Sequence, residues 1–182
     1  MKMIKTVMAG AIAMTLVSFG VNAAAPSANQ GEGRIQFKGV VINAPCGIAP
    51  ESADQTIDFG QISKAHLNND GLSIQKPVNI KLVNCDFSDG SAPNKTVEVM
   101  FTGTTAAGGA GTDLGLSKTN AIIRMQAQDG TLVTFDGTTK TNATKLMDGN
   151  NTLHYQAWVQ KGAKAVEEGE FSATTYFALK YN

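Results

Sequence analysis

The stretch that decides the fold is Gly-Glu-Phe-Ser-Ala-Thr-Thr-Tyr-Phe-Ala-Leu-Lys-Tyr, residues 169–181. Its odd positions are mostly apolar or aromatic: Phe171, Ala173, Thr175, Phe177, Leu179 and Tyr181. Its even positions are mostly polar: Ser172, Thr174, Tyr176, Ala178 and Lys180. An alternation of period two over this length predicts a β-strand over 170–181 with one buried face. Because chain ends fray unless a sheet holds them, we expect this strand to be paired.

A second stretch near the other end, residues 31–39, has the same parity. Its odd positions are small or apolar: Gly31, Gly33, Ile35, Phe37 and Gly39. Its even positions are all polar: Glu32, Arg34, Gln36 and Lys38. Glycine inside a strand often marks a close approach of another backbone, so the glycines on this face require a narrow slot. We predict that the segment fills a groove in a neighbouring copy of the protein rather than in its own chain.

The first residues have the order of a secretory signal peptide. Residues 1–5 carry two lysines, residues 6–20 have no charge, and residues 21–25 offer small side chains for cleavage. The uncharged run is too short for a comfortable membrane span of roughly 20 residues, which disfavours an uncleaved anchor. We therefore predict a signal peptide over 1–24, with cleavage after Ala24 preferred to cleavage after Ala23.

The length left after cleavage suits one domain. We divide it into an N-terminal extension over 25–38 and a domain over 39–182. The formal net charge is zero and no Lys/Arg block stands out, so nucleic acid and anionic membranes are not predicted partners.

The two cysteines, Cys46 and Cys85, are predicted to form a disulfide because the exported chain enters an oxidising compartment. A loop of this size would contribute roughly 4 kcal/mol on the chain-entropy model. A metal pair or a redox pair is disfavoured, because no CxxC spacing exists and no histidine lies near either cysteine in sequence.

Alternating segments recur between turn-forming dipeptides, and no long helical period interrupts them. The predicted strands are 35–42, 56–59, 77–85, 96–102, 121–127, 131–135, 153–160 and 170–181, with a hairpin at Asp129-Gly130. A short helical turn is predicted over 63–67. The pattern favours an all-β antiparallel sandwich of the immunoglobulin type.

No catalytic constellation can be assembled. His66 lies in a polar turn region and His154 on the outward parity of its strand, so both are interpreted as surface or structural residues. No loop carries carboxylates at the alternate positions that calcium requires, so no metal or cofactor is predicted. Trp158 stays open between a sugar-stacking platform, a contact between subunits and partial burial under a loop. The chain is not predicted to be an enzyme.

Four features in this order resemble those of the chaperone–usher pilins: the signal peptide, the Gly-x-Gly-x-Ile-x-Phe run at 31–37, the cysteine pair and the ending. The ending carries the resemblance through Gly169, the alternating apolar positions and the penultimate Tyr181. The resemblance covers the whole mature chain, and within the family it is to the major rod subunits of P pili and related fimbriae.

The resemblance implies an incomplete immunoglobulin-like sandwich that lacks its last strand and is completed by donor-strand exchange. A periplasmic pilus chaperone would first lend a strand, and the extension of another subunit would replace it during assembly at an outer-membrane usher. The donor residues would be Gly31, Gly33, Ile35, Phe37 and Gly39. The acceptor groove and chaperone-binding strand would comprise Gly169, Phe171, Ala173, Phe177, Leu179 and Tyr181.

The function implied is a structural subunit of an adhesive fimbrium, exported through the periplasm to the cell surface. Its predicted partners are the chaperone, the usher, other copies of itself and related pilins. The alternative is a minor or tip-associated fimbrial subunit that binds a host glycan.

Overall fold

A computed structural model of the chain describes residues 33–90 and 92–182. The predicted signal peptide over 1–24 and the first part of the predicted extension fall outside these residues. The chain divides into two units between Val40 and Val41. In the first unit, residues 33–40 have no regular secondary structure and their side chains are exposed.

The second unit is built almost entirely of strands. Its elements are β1 Gly47–Ile48, α1 Pro50–Ala53, α2 Lys64–Asn68, β2 Lys76–Cys85, β3 Thr96–Gly103, β4 Leu114–Gly115, β5 Ala121–Ala127, β6 Asp136–Lys140, β7 Thr144–Lys145, β8 Gly149–Lys161 and β9 Thr175–Tyr181. The all-β prediction is confirmed. Among the described residues, no helix is both long and apolar enough to cross a membrane.

The strands form two antiparallel sheets. The first has the order β1-β2-β8-β5-β4. In the second, β3 pairs with β9 from Val97 opposite Tyr181 to Gly103 opposite Thr175. Strands β6 and β7 pair with different parts of β3, so they share its other edge.

The core lies between the two sheets, where the apolar faces of the long strands meet. Alternate residues of β2, β3 and β8 supply most of it: Ile80, Leu82, Val97, Val99, Phe101, Leu153 and Tyr155. Phe101 and Tyr155 come from different sheets and pack edge to face, with ring centroids 5.2 Å apart. The period of two that predicted these strands is therefore also the period of their burial.

Four of the longer strand predictions are confirmed, those over 77–85, 96–102, 121–127 and 153–160, although β8 is longer than predicted. The helical turn is also confirmed as α2. Its N-terminus is capped by the Ser63 hydroxyl, which accepts a hydrogen bond from the His66 N–H at 3.3 Å.

The strand predicted over 131–135 is wrong, although the turn before it exists. The Ala127 N–H donates to the Thr131 carbonyl, and the Val133 N–H donates to Met125 of the first sheet. Two residues later the Phe135 carbonyl accepts from the N–H of Gly103, the last residue of β3 in the second sheet. The chain crosses between the sheets here, so it cannot form a continuous ladder with either one.

The predictions of strands over 35–42 and 56–59 are also wrong, and β9 begins at Thr175 rather than at 170. A strand is defined by its partner, and none of the described residues offers a ladder to 35–42 or to 56–59. The pattern of side chains in these segments is that of a strand, but within the described part of the chain they stay unpaired.

Candidate functional site

Strand β9 is paired along one edge only. Its ladder runs with β3, and no other strand of the described chain pairs with it. An unpaired edge presents a row of N–H and C=O groups that is a template for another strand. The C-terminal strand is therefore bound by its own chain on one side and available on the other.

The hydrogen-bond phase of the ladder shows which residues face the open edge. Asn182 and Thr96 exchange both of their backbone hydrogen bonds, at 2.9 and 3.3 Å. In an antiparallel pair such bonds recur at every second residue, so the even residues of β9 point their backbone groups at β3. The odd residues point theirs at the open edge, and these are Thr175, Phe177, Leu179 and Tyr181.

The same odd residues turn their side chains toward the core but do not reach full burial. Phe177, Leu179 and Tyr181 are partly buried and pack against the main core cluster. Phe177 lies 6.4 Å from Phe101, centroid to centroid. The strand thus offers both unpaired backbone and incompletely covered apolar side chains along one line.

Tyr181 adds a polar group to this line. Its hydroxyl is buried and has no hydrogen-bond partner in the described part of the chain. Burial raises the pKa of the Tyr181 phenol, because the charged form is disfavoured away from water. Buried polar groups are nearly always hydrogen-bonded, so this hydroxyl lacks a partner that an occupied groove could provide.

A second strip with the burial pattern of a strand lies at residues 54–60. Gln55, Ile57 and Phe59 are partly buried, and the residues between them are exposed. Phe59 packs against both core clusters of the domain. The 56–59 prediction was wrong as a ladder, yet the alternation of burial in this segment is real.

The acceptor residues predicted before β9 lie elsewhere. Phe171 packs on a smaller cluster formed around Leu67 and Val166, and Ala173 is exposed. The backbone in this region bonds to the loop at Ser117, whose N–H donates to the Ser172 carbonyl. Gly169 has a φ of 149°, which favours glycine. The structure therefore brings together Phe177, Leu179 and Tyr181, but not the earlier three.

A cavity of about 910 Å³ opens at the Thr175 end of β9. Its walls come from the loops around 103–107 and 114–117 and from 162–164 and 172–174, with Tyr176 at its border. Most of these residues are small, and no sequence motif marks them.

The predicted donor residues lie in the first unit. Gly31 is outside the described residues, while Gly33, Ile35, Phe37 and Gly39 lie within residues that have no regular structure. Ile35 and Phe37 are 81% and 90% exposed. Neither side chain is covered by the described residues, and burial of this apolar surface elsewhere would be favourable.

The disulfide predicted between Cys46 and Cys85 is present, and both residues are buried in the main core cluster. It ties the residue before β1 to the last residue of β2. The start of the domain is therefore fixed to the first sheet by a covalent bond as well as by the β1 ladder.

The remaining candidates do not form a reactive site. His66 Nε2 lies 3.0 Å from the Leu72 carbonyl, and His154 Nδ1 lies 2.9 Å from the Asn79 side chain. Trp158 is only 7% exposed, which rules out an open sugar-stacking platform at this ring. The residues that the structure describes contain no group of three or more side chains that could hold a metal ion.

Comparison with known proteins gives this geometry a context. A family model described as "Fimbrial protein" matches residues 35–182. The chain is 47% identical to KS71A fimbrillin of Escherichia coli over 98% of its own length and all of the relative. It is 46% identical to the Pap fimbrial major pilin protein of Escherichia coli, again over 98% of this chain and 100% of the relative.

Solved structures agree with these relatives. The fold matches a chaperone–usher pilus, solved to explain rod uncoiling, with a TM-score of 0.78 and 42% identity over 87% of this chain and 100% of that one. It matches the crystal structure of the P pilus rod subunit PapA with a TM-score of 0.70 and 41% identity, over 76% of this chain and 100% of that one. The chain is therefore a structural pilin with the incomplete immunoglobulin-like fold, and it belongs to the fimbrial protein family.

Proposed function

We propose that this pilin builds the rod of a surface fimbrium by strand donation between copies. The extension over 25–38 of one copy lies along the open edge of β9 in the next. The donor residues Gly31, Gly33, Ile35, Phe37 and Gly39 face the core of the acceptor. The single observation that carries the proposal is the line of odd residues on β9, which combines unpaired backbone with partly covered apolar side chains.

Strand addition suits this edge for a physical reason. Main-chain hydrogen bonds supply general affinity, while alternate side chains entering the sandwich supply specificity. Ile35 and Phe37 would lose most of their exposed apolar surface, a gain of roughly 1.5–3 kcal/mol for each side chain. Each contact is head to tail and does not close on itself, so it propagates a filament.

The orientation follows from the neighbouring strands and from the segment after the donor face. Every pair in both sheets is antiparallel, and we expect the donated strand to run antiparallel to β9. Residues 40–42, which are also apolar and exposed, would then reach the cavity at the Thr175 end.

Before assembly, the open groove requires a temporary partner. We propose that the signal peptide over 1–24 directs export and that a periplasmic chaperone covers β9 until the next extension replaces it at an outer-membrane usher. An exposed apolar edge is otherwise a predicted aggregation site. The domain over 39–182 is the accepting unit, and no enzymatic step enters the proposal.

The test changes the donor face without shortening the chain. The variant Ile35→Ser with Phe37→Ser should stay monomeric, because its extension no longer carries the side chains that fill the groove. The control is Gln36→Ser, which changes the opposite face of the same strand. Fibres are scored by electron microscopy of the cell surface and by the ladder of polymers in cell extracts.

A second arm tests the acceptor. The double serine variant keeps an intact β9 edge, so it should bind a synthetic peptide of residues 25–42 that carries the natural sequence. Fibres formed by the double serine variant at the control's level would contradict strand donation by this segment. Failure to bind the peptide would contradict the assignment of the β9 edge.

A further inference from the structure

We propose that the edge offered to a donated strand continues past β9 through residues 170–174, where it pairs with residues 39–42 of the next copy. This inference rests on the proposed strand donation and lengthens the acceptor surface at the Thr175 end. We call residues 170–174 the lead-in segment, because they lead directly into β9.

The lead-in segment continues the extended course of β9. Neither a turn nor a bend interrupts residues 170–174. At the junction, a Cβ atom on Gly103, the last residue of β3, would lie 3.3 Å from the Thr174 carbonyl oxygen. The lead-in segment therefore passes close beside the end of β3. In an extended chain the backbone groups of successive residues point to alternate sides, so the parity of β9 carries into this segment.

Ser117 holds the lead-in segment on its closed side. The Ser117 N–H donates to the Ser172 carbonyl at 3.1 Å, and the Ser172 N–H donates to the Ser117 hydroxyl at 3.0 Å. Ser172 thus uses both of its backbone groups on one neighbour, as Asn182 does with Thr96 at the far end of β9. Because Ser172 and Asn182 have the same parity, Ser117 takes the place of β3 beyond the last pair of the ladder.

The open side of the lead-in segment carries unpaired backbone groups. Because Ser172 is bonded on the closed side, Phe171 and Ala173 direct their N–H and C=O groups toward the open edge. The main chain of neither residue forms a hydrogen bond with another described residue. The row of unpaired groups that begins at Tyr181 therefore ends at Phe171 rather than at Thr175.

The direction of the donated strand decides which donor residues meet this part of the edge. A strand antiparallel to β9 has its later residues at the Thr175 end. With Gly31 opposite Tyr181, Val41 lies opposite Phe171. With Gly33 in that place, Val41 lies opposite Ala173. In both registers the donor residues that meet the lead-in segment lie within 39–42.

Val41 also gains apolar contact in this position. It is fully exposed with respect to the described residues. Its odd parity turns the side chain to the same face as the donor residues Ile35 and Phe37. The Phe171 side chain already packs on the smaller core cluster, so Val41 would extend that packing and lose apolar surface to water.

The test compares donor peptides of two lengths on one acceptor. The acceptor is the full mature chain with Ile35→Ser and Phe37→Ser, whose own extension lacks the side chains that fill the groove. Fluorescence anisotropy measures its affinity for labelled peptides of residues 25–38 and 25–42. The longer peptide should bind about ten-fold more tightly, because it adds backbone hydrogen bonds and buries Val41.

A proline on the acceptor tests the backbone pairing itself. Ala173→Pro removes an N–H that faces the open edge and has no partner among the described residues, so the monomer should keep its fold. The affinity for the 25–42 peptide should fall to that for the 25–38 peptide. Thr174→Pro is the matched control, because the Thr174 N–H has the parity of the closed side; it should keep the advantage of the longer peptide. Circular dichroism checks the fold of both variants.

Ser117 acts as a positioning residue in this account. Ser117→Ala removes the hydroxyl that accepts from Ser172, so the affinity for the 25–42 peptide should fall about three-fold while that for the 25–38 peptide stays the same. Ser117→Thr keeps a hydroxyl and should restore the difference. A merely structural role would lower both affinities together.

Equal affinities of the two peptides would overturn the extended edge, and so would an unchanged advantage of the longer peptide in Ala173→Pro. If Ala173→Pro does not fold, amide hydrogen exchange in the acceptor decides. The Ala173 amide should be protected by the 25–42 peptide and not by the 25–38 peptide, and equal exchange in the two complexes would refute the pairing. Failure of both peptides to bind would contradict strand donation itself, whereas equal binding contradicts only the extension past β9.

Discussion

Strands β3 and β9 lie side by side with the same alternation, yet they differ in burial. On β3, Val97, Val99 and Phe101 are 0%, 1% and 2% exposed. On β9, the apolar side chains opposite them, Tyr181, Leu179 and Phe177, are only partly buried. The difference follows from neighbours, because β3 is flanked on both edges and β9 on one. An alternating pattern predicts which face is apolar, but the number of neighbouring strands decides how far that face is removed from water.

The largest expected effect is on β3, the strand that has neighbours on both edges. Phe101→Ala removes a ring that is buried between the sheets against Tyr155, so the free energy of unfolding should fall by about 3–5 kcal/mol. Urea unfolding of the mature chain measures this loss. Because β3 is already covered, the loss should be similar in the single chain and in the polymer.

The disulfide stabilises the domain at its beginning, where β1 pairs with β2 in the first sheet. Replacement of both Cys46 and Cys85 by alanine should lower the free energy of unfolding by about 4 kcal/mol, because the unfolded chain gains the freedom of a closed loop with a sequence separation of 39. Unfolding of the natural chain with and without reductant gives an independent measurement. Equal stability of the two forms would contradict a structural role for the bond.

Alkaline pH should lower the free energy of unfolding through Tyr155, which is buried in the core. Burial raises the pKa of this phenol from 10.0 to about 12, so the folded chain keeps its proton where the unfolded chain loses it. The stabilisation is present below pH 10 and is lost as the pH rises toward 12, by up to about 3 kcal/mol. Tyr155→Phe should remove this part of the pH dependence, and a parallel pair of urea titrations at pH 9 and 11 measures it.

The cost of truncating Phe177 on β9 should depend on assembly, whereas the cost of truncating Phe101 on β3 should not. Phe177→Ala removes a partly buried ring, so in the single chain it should cost about 1–2 kcal/mol, less than a fully buried phenylalanine. In the polymer the donated strand would cover this ring, and the loss should approach that of Phe101→Ala. Denaturant midpoints of monomer and fibre give both values; equal losses in the two states would mean that β9 is not covered on assembly.

The smallest expected effect comes from the hydroxyl group of Tyr181 on β9. Tyr181→Phe removes a buried hydroxyl that has no partner among the described residues, so the single chain should be unchanged or more stable by at most about 1 kcal/mol. If a donated strand supplies a hydrogen bond, the same change should weaken the polymer. A loss of stability in the single chain would show that the hydroxyl already has a partner there.

The sequence predicted the long strands that are paired within the chain with little error. The segments over 77–85, 96–102, 121–127 and 153–160 became strands because each alternates and each has partners within the chain. It missed the crossing at 131–135, where the chain bonds first to the first sheet and then to the second. No local pattern shows a change of sheet, because it depends on where the next partner lies.

What the sequence by itself determined is the long alternating segments and the face that each would bury, since both follow from the period of the side chains. It did not mark the shorter strands β1, β4, β6 and β7. Only the tertiary structure decided which of the alternating segments found a partner. Residues 35–42 and 56–59 carry the pattern but lie unpaired, and 170–174 leaves the strand to bond with the loop at Ser117. Pairing requires a second backbone at hydrogen-bonding distance, and the described residues offer none to 35–42 or 56–59.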